Sequence, residues 1–290
     1  MFEGAIVAIV TPFKNGQIDE DALDNLIQFQ IASGTAGIVP CGTTGESTTL
    51  SHDEHDRVIE VTIKSVNKKV PVIAGTGSNS TEEALRLTLQ AYKAGADGAM
   101  IVCPYYNRPT QEGLYQHYKT IAEEVPIPIL IYNIPGRTGV NLNADTLVRL
   151  AQIPNIVGIK EAGGSIKQMS DMIELCGPDF DVISGDDALT LPLMALGGKG
   201  VVSVMSNIVP ADMAELVRSC KAGNFEKARK LHHKMAPLVE ALFIETNPVP
   251  VKAALAMMGM IEDGVRRPLC KLSPESNGKL RKAMSDYGLI

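Results

Sequence analysis

Short apolar runs alternate with longer amphipathic segments through the first three-quarters of the chain, and this alternation limits the fold more than any other feature. The runs are Ala5–Val10, Gly37–Pro40, Val70–Gly75, Ala99–Cys103, Ile127–Tyr132, Ile156–Lys160, Val182–Ser184 and Gly200–Val204. Each has the length and β-branched content of a buried strand. Between them, apolar residues recur at helical spacing, as in Leu23, Leu26, Ile27 and Ile31. Three helix-to-strand junctions repeat one pattern, Ala32-Ser33-Gly34 before Gly37, Ala94-Gly95 before Gly98, and Leu196-Gly197 before Gly200. The first glycine of each suits a left-handed helix end. Eight strands with intervening helices predict an α/β fold, a (β/α)8 TIM barrel. From Phe225 onward only helical periodicity remains, over Phe225–Glu240, Pro248–Gly259 and Pro274–Tyr287, with Asn247-Pro248-Val249-Pro250 separating the first two and a proline expected in a first turn. The organisation predicted is a catalytic barrel over 1–223 and a three-helix extension over 224–290 that packs on it.

Several classes of function are disfavoured. A formal charge of −6 and a pI near 5.5 argue against a nucleic-acid surface. No apolar run reaches the ~18 residues of a membrane span, and Met1-Phe2-Glu3 leads into a strand without a signal-peptide pattern. The five cysteines are scattered and form no CxxC pair, which suits reduced thiols in the cytoplasm. No metal is expected. His52 and His55, and the adjacent His232-His233, lack a third ligand, and an exposed polar face is the simpler reading of both pairs. Gly75-Thr76-Gly77 is half a dinucleotide fingerprint, but Ser80 stands where its third glycine belongs.

In such a barrel, chemistry gathers at the carboxyl ends of the strands. The run Ile156-Val157-Gly158-Ile159-Lys160-Glu161 ends on a lysine. An apolar neighbourhood disfavours an ammonium and leaves a nucleophilic amine near neutral pH, as a Schiff-base lysine requires. The alternative is a lysine whose head reaches solvent. Gly42-Thr43-Thr44-Gly45-Glu46 reads either as a capped turn or as an anion nest with two hydroxyls, and Glu46 beside it favours a small carboxylate over a phosphate. Tyr132 shares a strand face with Leu130 and is either a core residue or a proton-passing phenol. Arg137, in a turn-rich loop, is either a surface charge or a carboxylate clamp. Amine, nest, phenol and arginine converge on one barrel mouth, and that convergence favours chemistry.

Cys41-Gly42-Thr43-Thr44-Gly45-Glu46, Pro104-Tyr105-Tyr106-Asn107, Tyr132 through Gly139 and Gly158-Ile159-Lys160-Glu161-Ala162 resemble the dihydrodipicolinate synthase family, in its order and spacing, from Met1 to Ile290. The resemblance implies a lyase of lysine biosynthesis, a 4-hydroxy-tetrahydrodipicolinate synthase. It would join pyruvate, held as a Schiff base on Lys160 with no other cofactor, to L-aspartate-4-semialdehyde. It further implies that Thr43 and Thr44 hold the pyruvate carboxylate and that Arg137 binds the semialdehyde carboxylate. Tyr132, Thr44 and Tyr106 would form a proton relay, with Tyr106 reaching into a neighbouring subunit of a homotetramer, a dimer of dimers. Gly185 and Val202 would contact the adduct. Ser47, His52, His55, Asn79, Glu83 and Tyr105 resemble an allosteric site for L-lysine, although Thr48 replaces a familiar alanine. Sugar-acid aldolases and neuraminate lyases share the lysine and the tyrosine. The Thr43-Thr44 pair with Arg137 suits a short acidic aldehyde better than their polyols. A barrel kept only for binding is disfavoured because no chemical position is missing.

Overall fold

The computed structural model describes residues 1–290. Eight parallel strands form the barrel: β1 (Gly4–Ala8), β2 (Gly37–Val39), β3 (Ile73–Gly75), β4 (Gly98–Val102), β5 (Ile129–Asn133), β6 (Ile156–Glu161), β7 (Asp181–Ser184) and β8 (Gly200–Ser203). Every expected strand is present, within three residues of its expected ends. Consecutive strands pair from β3 to β8, β8 pairs with β1, and β1 with β2. A parallel bridge between Ile38 and Val72 closes the ring. Closure brings the β1 and β8 backbones together at Gly4 and Gly200, where a Cβ on Gly200 would lie 2.0 Å from the Gly4 carbonyl oxygen. A side chain there would force the two strands apart.

Helices α1 (Glu20–Ala32), α2 (His52–Val66), α3 (Thr81–Ala94), α4 (Gln111–Glu124), α5 (Ala144–Leu150), α6 (Ile166–Cys176), α7 (Thr190–Ala195) and α8 (Pro210–Lys221) follow the strands in turn. The junction glycines Gly34, Gly95 and Gly197 all have positive φ, as the repeated pattern predicts. A short hairpin, Phe13–Lys14 with Gln17–Ile18, follows β1 and was not foreseen. Two-residue strands carry too little alternation to be read from sequence.

Period-two alternation divides the core. Inside the barrel, Phe2, Ile6, Ala8, Val39, Ile73, Met100, Leu130, Tyr132, Ile183 and Val202 form one apolar cluster. The opposite faces of β1 and its neighbours meet the outer helices in a second cluster of 41 buried residues. The C-terminal helices α9 (Phe225–Leu242), α10 (Val249–Met257) and α11 (Pro274–Tyr287) belong to that same cluster through Leu238, Leu255 and Leu280. Pro250 is the expected first-turn proline of α10, and Pro248 is the residue before the helix.

A buried ion pair fastens α10 to the barrel mouth. Lys252 Nζ lies 2.6 Å from Glu46 Oε1 and donates to the Thr11 carbonyl at 2.9 Å. The other carboxylate oxygen of Glu46 accepts the Arg266 backbone N–H at 2.8 Å. The Glu46 charge is therefore turned into the protein and neutralised. It does not face the threonine turn, so the expectation that it tunes that turn against phosphate is incorrect. Removing one partner of a buried pair strands the other, at about 3–5 kcal/mol. Lys252→Met is expected to lower stability by that order in urea unfolding. Glu46→Gln with Lys252→Met together should cost much less than Lys252→Met alone, and equal losses would show that charge pairing is not the cause.

Candidate active site

The register of the sheet assembles the site. Tyr132 on β5 pairs with Lys160 on β6, and Lys160 with Ile183 on β7. Both side chains face the barrel interior. Lys160 is only 5% exposed, and its Nζ stands 4.0 Å from the centre of the Tyr132 ring. Burial pushes the Lys160 pKa down to about 7, the Asp187 carboxylate opposes that shift, and Arg137 adds to it. Burial pushes the Tyr132 phenol up to about 12, while Thr43 and the Arg137 charge pull against it. At neutral pH the pair thus offers a substantial fraction of free amine beside a protonated phenol. Gly185 leaves the space that the lysine occupies, since a Cβ there would lie 3.0 Å from Lys160 Cε and 2.7 Å from Ala162 Cβ. Val202 is buried in the cluster that holds Tyr132.

Next to Lys160, Glu161 points to the opposite face and is fully buried. Its carboxylate accepts from Asn133 Nδ2 at 2.8 Å, Gln168 Nε2 at 3.2 Å and the Gly163 N–H at 2.5 Å. These bonds tie the end of β6 to β5 and to α6. In the sequence Asp187 stands directly after Asp186. Asp187 is the buried one, and its Oδ2 accepts the backbone N–H groups of Val204 and Met205, each at 3.1 Å. Adjacent aspartates look alike in a sequence; only the chain path after β7 separates them.

Thr43 and Thr44 lie on the turn after β2. Thr11 Oγ1 donates to the Gly45 carbonyl at 2.7 Å and steadies that turn. The Thr44 hydroxyl is buried and accepts from Asn247 Nδ2 at 3.0 Å. Arg137 follows β5, and its Nη2 donates to the Asn247 carbonyl at 3.1 Å. In the sequence Asn247 only opens the Pro-rich separator Asn247-Pro248-Val249-Pro250, a pattern that carries no sign of a site. Tyr106 is 89% exposed, has φ 72°, and its hydroxyl makes no hydrogen bond to Tyr132 or Thr44, the Thr44 hydroxyl being bonded to Asn247. The three-residue relay is consequently not formed within one chain.

A cavity of about 370 Å³ is lined by Thr43, Tyr132 and Arg137, and equally by Ser47, His52, His55, Glu83 and Tyr105. Thr48 also lines it, whereas Asn79 does not. Asn79 instead accepts from Asn107 Nδ2 through its carbonyl oxygen at 2.8 Å. Glu83 Oε1 lies 2.9 Å from His52 Nε2, and the Ser78 hydroxyl bonds the other oxygen. These two contacts, Ser78 first, hold the Glu83 carboxyl below its usual range. His55 is buried, not on an exposed polar face as expected, and its Nε2 bonds the Gly75 carbonyl oxygen at 2.8 Å. His232 and His233 meet edge to face, 5.2 Å between ring centres. No group of three His, Cys, Asp or Glu side chains is arranged to hold a metal. No helix is long and apolar enough to cross a membrane.

The chain is similar to known proteins over its whole length. The 4-hydroxy-tetrahydrodipicolinate synthase of Syntrophus aciditrophicus is 69% identical over 290 residues, covering 100% of both chains. The crystal structure of dihydrodipicolinate synthase from Aquifex aeolicus superposes with a TM-score of 0.98 at 51% identity, covering 99% of each chain. The enzyme of Cyanidioschyzon merolae, solved with lysine bound, gives a TM-score of 0.97 at 43% identity over 100% of this chain and 99% of that one. Residues 1–287 match the dihydrodipicolinate synthetase family, and the chain belongs to that family.

Proposed function

We propose that this chain is a Schiff-base-forming lyase, a 4-hydroxy-tetrahydrodipicolinate synthase. It condenses pyruvate with L-aspartate-4-semialdehyde on the diaminopimelate route to lysine. The observation that carries this reading is the buried Lys160 amine beside Tyr132, with its pKa lowered to about 7. The free amine adds to the pyruvate carbonyl and loses water, forming an iminium that accepts the electron pair left when a methyl proton departs. The resulting enamine attacks the aldehyde carbon. The semialdehyde's own amine then closes the ring and releases Lys160. No resident cofactor enters the scheme, because the iminium is itself the electron sink.

Thr43 and Thr44 hold the pyruvate carboxylate, and Gly185 and Val202 flank the adduct. Tyr132 keeps its proton at neutral pH and so passes it through hydroxyls rather than resting as a phenolate. Arg137, at the cavity wall, takes the semialdehyde carboxylate. The exposed Tyr106 completes the relay in a neighbouring copy, within a cytoplasmic homotetramer built as a dimer of dimers. The cavity wall formed by Ser47, His52, His55, Glu83 and Tyr105 is the site for an L-lysine effector, with Asn79 on the turn beside it. The ionised Glu83 receives the effector's ammonium. The lysine-bound relative supports this part of the reading.

Borohydride with pyruvate is expected to attach one adduct per chain at Lys160. Lys160→Arg should attach none, because guanidinium keeps its proton. Only the free amine attacks, so the trapping rate should rise with pH through about 7. Asp187→Asn removes the negative charge that retains the proton and should move the midpoint to lower pH. A midpoint at the ordinary lysine value of about 10 would remove the claim.

Arg137→Ala is expected to lower kcat/KM for the semialdehyde by about 10- to 100-fold through loss of a charge-assisted contact. The KM for pyruvate should change little. Equal effects on both substrates would place Arg137 elsewhere.

L-Lysine is expected to inhibit without competing with pyruvate, and Glu83→Ala to relieve the inhibition while retaining catalysis. A calorimetric titration with lysine that shows no binding would leave these residues as cavity wall only.

A further inference from the structure

Asn247 lies between α9 and α10 and is 5% exposed. With two groups it reaches two separate parts of the barrel mouth. Its side-chain Nδ2 donates to Thr44 Oγ1 on the turn after β2, at 3.0 Å. Its main-chain oxygen accepts from Arg137 Nη2 on the loop after β5, at 3.1 Å. Its Oδ1 is buried with no partner. The amide therefore presents its donor to Thr44 even though this leaves its own acceptor unsatisfied.

The direction of that bond has a chemical consequence. A threonine hydroxyl carries one proton and two acceptor positions. The Asn247 N–H occupies one acceptor position, so the Thr44 proton cannot lie along that line and is left for donation elsewhere. The second acceptor position remains open to another hydroxyl. Thr44 is thereby set to receive a proton on one side and give one on the other, as a relay member must.

We propose that Asn247 is a positioning residue that fixes the donor direction of the Thr44 hydroxyl, and that its main-chain carbonyl separately holds Arg137. The proposal rests on the reading of Thr44 as a group that moves protons or binds the pyruvate carboxylate. The side chain acts on proton transfer, which belongs to kcat. The carbonyl acts on the semialdehyde clamp, which belongs to KM. Substituting the side chain leaves the carbonyl in place, so the two roles separate.

The test is steady-state kinetics of Asn247→Ala and Asn247→Asp, each alone and combined with Thr44→Val, with thermal melts of every variant. Asn247→Ala should lower kcat by about 10-fold, and Asn247→Asp by about 100-fold. An ionised aspartate only accepts, and so draws the Thr44 proton toward itself. The KM for the semialdehyde should stay within about twofold, the change expected when no ground-state contact is lost. With Thr44→Val present, neither Asn247 substitution should lower kcat further. Near wild-type kcat in Asn247→Asp would show that Thr44 donates to residue 247, and would overturn the proposal. So would the same loss with and without Thr44→Val, or a KM for the semialdehyde that rises in step with the fall in kcat. If Asn247→Asp does not fold, Asn247→Ala with and without Thr44→Val decides alone. Pyruvate trapping at Lys160 in the same preparations separates the two levels. No trapping in the wild-type enzyme sinks the reading of the site, while trapping with additive losses sinks only the role of Asn247.

Discussion

The Lys160 ammonium sits inside a parallel barrel, where water cannot solvate it. Desolvating a charge without a close partner is costly, and the group responds by giving up its proton more readily. A barrel interior is unusual in that every second residue of eight strands points into one closed space. On β6 that geometry commits Gly158 and Lys160 to the inside and Ile159 and Glu161 to the outside. The buried Glu161 with its three donors holds the strand end where it is. Asp187 limits how far the amine's basicity falls, and Gly185 leaves the volume in which the amine can move. The site follows from one unfavourable solvation term shaped by a few fixed neighbours.

The C-terminal helices are part of the same arrangement. Glu46 closes the threonine turn but spends its charge on Lys252 of α10. Asn247, just before α10, bonds both Thr44 and Arg137. The barrel supplies the amine and the phenol, whereas the extension steadies the two groups assigned to the carboxylates. Since α9, α10 and α11 share the large outer core with α1 and α8, their position is set by apolar packing as much as by these polar bonds. That division suits a site whose reacting atoms need a rigid strand end and whose recognition groups sit on turns.

One cavity joins the proposed substrate groups to the proposed effector groups. Thr43 and Tyr132 share its wall with His55 and Glu83, so coupling between the proposed ligands would be electrostatic and short-range. Coupling of this kind is reciprocal by thermodynamic necessity. His55, held by the Gly75 carbonyl oxygen at the end of β3, makes part of that wall backbone-anchored rather than loose.

The sequence by itself determined the eight strands, the helix-ending glycines, the helical tail, and the placing of Lys160 and Tyr132 at strand ends. These follow from local rules, the period of apolar residues and the backbone freedom of glycine, which act within a few residues of one another. The motifs around Thr43, Thr44, Arg137 and Lys160 were legible for the same reason: each is a contiguous stretch. Only the tertiary structure decided where Glu46 places its charge, which of Asp186 and Asp187 is buried, that His55 is enclosed, and that Asn247 belongs to the site. In the bonds to Asn247 and Lys252 the partners lie 110 to 241 residues apart. A polar side chain's partner is fixed by the packing of distant segments, and no local pattern encodes it. The exposed Tyr106 marks the same limit from the other side, for a single chain leaves it without a place in the relay.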